Sequence, residues 1–213
     1  MAQQPADQRG RPPTPVVEAV RLRADEAPLI DGDLSDAAWA LVPPLTHLRT
    51  REPVEDGEPT FETLVRLAQD GRALLIALDC RDAEPSAIRA SQRRRDANLD
   101  PDDRVELVLD TLHDGSNAYF FQIGAGGCIG DALISSNGDT FNKSWDGLWD
   151  GAARITPSGW TAELRIPFAT LAVSRDVTTW GFNLKRVVRR LREEVVWATP
   201  LQDSSLYRIR DAG

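Results

Sequence analysis

"ETLVRLAQDGRALLIALDC", Glu62–Cys80, is the stretch from which the fold can be read. Its first half sets Leu64 and Leu67 in a polar pattern. Its second half, Ala73–Cys80, is an unbroken apolar run, as expected of a strand buried on both faces. Asp70-Gly71 between them is a hairpin turn signal. The stretch therefore predicts two adjacent antiparallel strands.

The same signs recur along the chain. Arg104–Asp110 (RVELVLD) alternates, with Val105, Leu107 and Leu109 on one face and Arg104, Glu106, Val108 and Asp110 on the other. Glu18–Arg23 also alternates, and Ala118–Ile123 is aromatic and strand-like. "GAGG" turns the chain into Cys128–Ile134, and Trp160–Ile166, Gly181–Val188 and Glu194–Ala198 complete the set. Helical signals are few: a turn capped by Ser35 and running through Trp39, one turn over Pro167–Leu171, and a partly helical excursion within Asp82–Asn98. About ten short strands with turns between them predict an all-β fold, an antiparallel β-sandwich of jelly-roll type. Residues 1–15 are polar and proline-rich and read as a disordered lead-in; 16–213 read as one domain.

Composition narrows the partners. A net charge of −8 repels phosphate backbones, which argues against nucleic acid. Arg93, Arg94 and Arg95 are followed by Asp96, Asp100, Asp102 and Asp103, a mixed-charge surface. No apolar run is long enough to span a bilayer as a helix. "GAGG" has no helix after it, which argues against a nucleotide cradle. Cys80 and Cys128 form no metal-ligand spacing; they are two buried thiols or one disulfide. No nucleophile motif accompanies the two histidines, His47 and His113.

Two groups could bind ligands. Asp100, Asp102 and Asp103 form an acidic loop, and Asp139 sits in a second polar loop; such carboxylates can take calcium, or stay solvated, or pair with arginine. Trp145 and Trp149, beside Asp146 and Asp150, suit the stacking and hydrogen bonding of a sugar site. At spacing four on a strand they equally suit a core face. Trp160 opens a regular alternation and belongs to the core.

"IDGDLSDAAW" (Ile30–Trp39), "DDRVELVLD" (Asp102–Asp110), "GWTAELRIPFATL" (Gly159–Leu171) and "WGFNLKR" (Trp180–Arg186) stand in the order seen in carbohydrate-binding module family 9, which the chain resembles. "REPVEDGEPT" (Arg51–Thr60), "RRRD" (Arg93–Asp96), "DALISSNGDTFNKSWDGLWDGAARI" (Asp131–Ile155) and "NLKRVVRRLREEVVW" (Asn183–Trp197) resemble a bacterial subgroup in which such a module precedes an outer-membrane β-barrel.

The resemblance implies a non-catalytic β-sandwich that binds oligo- or polysaccharide, often with calcium, and that is exported to the periplasm or outer membrane. The lead-in would then be a mature N-terminus, and a barrel would follow "YRIRDAG". The family's paired tryptophans fall near Asp100 and Ser205, and neither is tryptophan; Tyr207 lies close to the second. The strand glutamate is kept as Glu106. Gln122 and Gly124 stand where the next strand has arginine and asparagine, and Gln202 stands for the C-terminal amide. The implied ligand set is Asp103, Glu106, Gln122, Trp145, Trp149, Gln202 and Tyr207, with Asp100, Asp102 and Asp139 for a metal. Haem, another ligand of this fold, would need an axial methionine, and Met1 is the single one. With the clamp lost, a second reading is an interaction or gating domain of its own barrel, and a third an accessory domain of a glycan hydrolase. A displaced aromatic surface would lie at the loop before Trp145.

Overall fold

The computed structural model describes residues 15–45, 47–174 and 176–212; the lead-in lies, but for Pro15, outside them. The apolar run becomes β4 (Ala73–Arg81), joined through Asp70-Gly71 to β3 (Thr63–Gln69). Gly71 takes a φ of 82° in that turn, and Asp70 accepts N–H bonds from Arg72 and Ala73, each at 2.8 Å. Leu74, Ile76, Leu78 and Cys80 enter the principal core. Leu75 and Ala77 face the other way, into a cluster roofed by Leu22, Trp39 and Val42. Both faces of β4 are covered, which is why its sequence does not alternate.

β4 is the middle of a five-stranded sheet in the order β1 (Val20–Arg21), β3, β4, β10 (Gly159–Pro167), β9 (Asp150–Thr156). The second sheet has seven strands: β2 (Arg49–Glu52), β12 (Glu193–Val196), β11 (Gly181–Val188), β5 (Arg104–Asp110), β6 (Ala118–Gly124), β7 (Ile129–Ser135) and β8 (Thr140–Asn142). β1 pairs with β3 in parallel; the other pairings are antiparallel. The sheets pack face to face as the predicted sandwich. Trp160, Leu164 and Ile166 of β10 meet Val105, Leu107 and Leu109 of β5 and Phe121 and Ile123 of β6 in one core. Each such side chain contributes about 1.5–3 kcal/mol by leaving water. Trp160 is core, as its alternation predicts.

The sequence pattern departs from this structure in several places. It predicts no strand at β2, β8 or β9, and it makes β1 too long. The helix α1 (Ala37–Ala40) starts after Asp36, one residue beyond the predicted Ser35 cap, and has no side-chain cap bond. A second one-turn helix, α2 (Ile209–Ala212), has no counterpart in the sequence pattern. Within Asp82–Asn98 only Pro85–Ala87 is helical, as a 3₁₀ turn, and Phe168–Thr170 forms another. Trp145 and Trp149 lie in the irregular link between β8 and β9. Their spacing of four therefore does not place them on one strand face. Cys80 and Cys128 are separate buried thiols. Burial pushes the Cys80 thiol up to about 12, so it stays protonated and packs as a small hydrophobe.

Candidate binding face

Register aligns Glu106 with Lys185 of β11 and Gln122 of β6, and Gln122 with Gly130 of β7. Alternation puts all four on the face of the seven-stranded sheet that looks away from the core. Arg104 Nε donates to Glu106 Oε1 at 2.6 Å. Lys185 Nζ stands 3.0 Å from Glu106 Oε2 and 3.8 Å from Glu194 Oε1, and Arg51 pairs with Glu194. Charge thus alternates across β5, β11, β12 and β2 as Arg104, Glu106, Lys185, Glu194, Arg51. Burial drives the Glu106 carboxyl up, but Lys185 and Arg104 outweigh burial and hold it below its ordinary value.

The C-terminal segment closes over the middle of this row. The Tyr207 hydroxyl donates to Glu106 Oε2 at 2.9 Å, and its ring centroid lies 5.4 Å from Lys185 Nζ. The same ring meets Phe120 and Phe141, and Leu206 and Ile209 join Val108 and Ile134 in a second apolar cluster. Burial, helped by the Glu106 charge, pushes the Tyr207 hydroxyl well above its ordinary pKa. Glu106 and Tyr207 therefore satisfy each other.

The face opens at β6. Gln122 is half-buried, and its amide has no partner among the described residues. It lies over Gly130, where a Cβ would stand 2.7 Å from Gln122 Nε2 and 3.2 Å from Asp96 Oδ1. The missing Cβ lets the Gln122 amide lie close over β7. Asp96 takes a φ of 60°, fixed by its N–H bond to the Ile129 carbonyl at 2.9 Å. Its exposed carboxylate lies beside that amide, with Oδ1 accepting the Asp131 N–H at 3.4 Å and Oδ2 3.6 Å from Arg95 Nε. Asp100, 76% exposed, stands 3.6 Å from Arg104. This patch of the outer face offers carboxylate and amide acceptors beside amide and guanidinium donors, the groups that bond vicinal hydroxyls.

Glu106, Gln122 and Tyr207 are brought together on this face; the other expected residues are not. Gln202 Nε2 donates to Glu52 Oε2 and the Pro53 carbonyl at the end of β2, at 3.0 and 3.2 Å. Trp149 is 5% exposed, donates Nε1–H to Asp131 Oδ2 at 2.7 Å and packs edge-on against Phe121. Trp145 is half-buried against Tyr119 and Phe121. Asp103 is buried and accepts the N–H groups of Arg189 and Arg89 at 2.5 and 3.0 Å, a tie between two loops; burial pushes its carboxyl up despite those bonds.

The carboxylates expected to take a metal each face other surroundings in this structure. Asp102 is occupied by Ser91 Oγ and the Gln92 N–H, both at 2.7 Å, Asp100 faces Arg104, and Asp139 is exposed on the β7–β8 turn. Among the described residues no group of three His, Cys, Asp or Glu side chains could hold a metal.

The sequence pattern does not mark Arg104, Lys185 or Asp96 as parts of this site. The available signal for Arg104 is its place two residues before Glu106 on an alternating strand. Lys185 is one of only two lysines and lies inside a buried strand, two residues after Asn183. Asp96 closes the "RRRD" run without any local mark of its role.

No protein-family model matches the chain, and no curated protein matches it. Solved structures do. A carbohydrate binding module family 9 (CBM9) from Caldicellulosiruptor kristjanssonii, in complex with cellotriose, superposes with a TM-score of 0.63 at 15% identity, over 92% of this chain and 91% of that one. The same organism's module in complex with glucose gives 0.64 at 15% identity, over 92% and 93%. A "putative carbohydrate-binding protein" from Bacteroides uniformis ATCC 8492 gives 0.69 at 15% identity, over 92% and 95%. At this identity the likeness is one of fold.

Proposed function

We propose that this domain is a non-catalytic carbohydrate-binding module, and that it bonds sugar hydroxyls on the outer-face patch around Gln122. The observation that carries the reading is the unpartnered Gln122 amide over Gly130, set between Asp96 and the Arg104–Glu106 pair. The sugar complexes of the two similar Caldicellulosiruptor structures support it. An exported setting belongs to the same reading and rests on the sequence resemblance. The test is isothermal titration with cello-, xylo- and chito-oligosaccharides. Gln122→Ala is expected to weaken binding about fivefold, the worth of one hydrogen bond. A flat titration with the folded domain across a broad glycan array overturns the proposal.

Two observations favour a second reading, an interaction or gating domain on an outer-membrane β-barrel with a degenerate sugar face. Tyr207 covers the centre of the charged row, and Trp149 is turned inward. This reading expects the domain to co-purify with its own barrel from membranes; recovery of the two apart counts against it.

A further inference from the structure

The inner face of the seven-stranded sheet is not covered along its whole length. Phe121 and Ile123 of β6 are 0% exposed beneath the other sheet, whereas Tyr119, two residues earlier on the same face, is half-buried. Register carries this open end across the sheet: Tyr119 pairs with Leu133 of β7, Leu133 with Asn142 of β8, and Ser135 with Thr140. These side chains share one face. They line a groove of about 250 Å³ that also takes in Leu112 and Asn117.

The chemistry of the groove is distinctive for this chain. Charged residues make up 27% of the sequence, yet none lines the groove. Its floor is the Tyr119 ring, braced by Trp145 at 5.1 Å, with Leu133 beside it. Around the floor stand neutral groups with free bonding capacity. The Tyr119 hydroxyl accepts the Ala172 N–H at 2.7 Å, which leaves its own hydrogen to donate. Asn142 Oδ1 accepts the Ser144 N–H at 3.0 Å, which leaves Nδ2. Asn117 Nδ2 donates to Asp114 at 2.8 Å, which leaves Oδ1. The Ser135 and Thr140 hydroxyls have no side-chain partner among the described residues.

We propose that this groove binds one ring of a neutral saccharide, at a site separate from the patch around Gln122. The C–H face of a pyranose would lie on Tyr119 and Leu133, and its hydroxyls would bond Asn117, Asn142 and the Tyr119 hydroxyl. The lining holds no cation, which selects against uronic acids, because their carboxylate would find no counter-charge in it. The volume lies below the roughly 300–1,000 Å³ of drug-sized sites, which fits a single ring or chain end. The ligand class rests on the carbohydrate-binding reading; the location does not.

The test is backbone amide shift mapping of the whole chain with cellotriose, xylotriose and chitotriose, together with the variants Asn142→Ala and Thr140→Arg. Both residues are exposed, so neither change disturbs the core. Chemical-shift changes at Tyr119, Leu133 and Asn142 are expected, with about fivefold weaker binding in Asn142→Ala and loss of binding at the groove in Thr140→Arg, whose side chain would fill it. Changes confined to Gln122 and Asp96, unaltered by both variants, overturn the groove and leave the sugar-binding reading standing. No change with any of the sugars overturns both.

Discussion

Each sheet carries one buried glutamate on its outer face, and each glutamate pins the segment that covers that face. On β5, Glu106 holds Tyr207 of the C-terminal segment. On β10, Glu163 accepts the Asp31 and Gly32 N–H groups at 3.0 and 2.9 Å and the Trp39 indole N–H at 2.7 Å. Position and task are alike, but the donors differ. Glu106 is served by two cations and a hydroxyl, Glu163 by neutral N–H groups alone. Their carboxyls move in opposite directions: Glu106 is held below its ordinary pKa, while burial pushes Glu163 above its own despite three N–H bonds. Neutral dipoles do not offset the desolvation of a carboxylate as neighbouring cations do.

The comparison breaks most visibly at Glu106. Glu106→Ala leaves Lys185 and Arg104 buried without their shared counter-charge and strands the Tyr207 hydroxyl. Removing one member of a buried ion pair costs about 3–5 kcal/mol. Urea unfolding is expected to show a loss of that size, and the C-terminal segment should become sensitive to protease. A loss under about 1 kcal/mol would mean that the row gains nothing from its alternation.

Glu163→Ala is expected to cost less, about 3 kcal/mol, because the orphaned groups are N–H donors and not charges. The loss should localise to residues 31–39, read as faster amide exchange at Asp31 and Gly32 with the core unaffected. The same contact explains why "IDGDLSDAAW" and "AELRIPF" form one structural unit: the first motif supplies the donors and the second the acceptor.

How much of this is legible in the sequence depends on where each strand lies. β4, β5, β10 and β11 have a neighbour on each side and a core beneath, so their patterns are continuous or largely alternating. β1, β2, β8 and β9 are the edges. Edge strands have one free ladder and stay short, polar or small, as "RTRE", "TFN" and "DGAARIT" do. Those three leave no strand signal in the sequence, and the alternation around β1 runs past the residues that actually pair.

The site divides in the same way. Glu106 and Gln122 stand on internal strands, where alternation gives their face. Tyr207 reaches Glu106 across 101 positions of chain, which no local pattern carries. Trp149 owes its burial to Asp131, 18 positions earlier on another element.

The smallest effect is the one that separates the two glutamates by sign. A depressed carboxyl such as Glu106 contributes stability above its unfolded pKa, near 4.3, and loses it as pH falls through the lower folded value. A raised carboxyl such as Glu163 does the reverse: its contribution is full below about pH 4.3 and is lost as pH rises through the higher folded value. A tenfold difference in proton affinity between the folded and unfolded chain is worth about 1.4 kcal/mol. Urea midpoints measured from about pH 3 to about pH 8 for the parent, Glu106→Gln and Glu163→Gln should therefore diverge in opposite senses. Glu106→Gln is expected to flatten the acid limb, and Glu163→Gln to remove a decline on the way up from about pH 4.3, so that it gains on the parent with rising pH. A Glu163→Gln curve parallel to the parent's throughout would show that three N–H donors do offset burial. The contrast between cation-held and dipole-held carboxylates would then reduce to Glu106 alone.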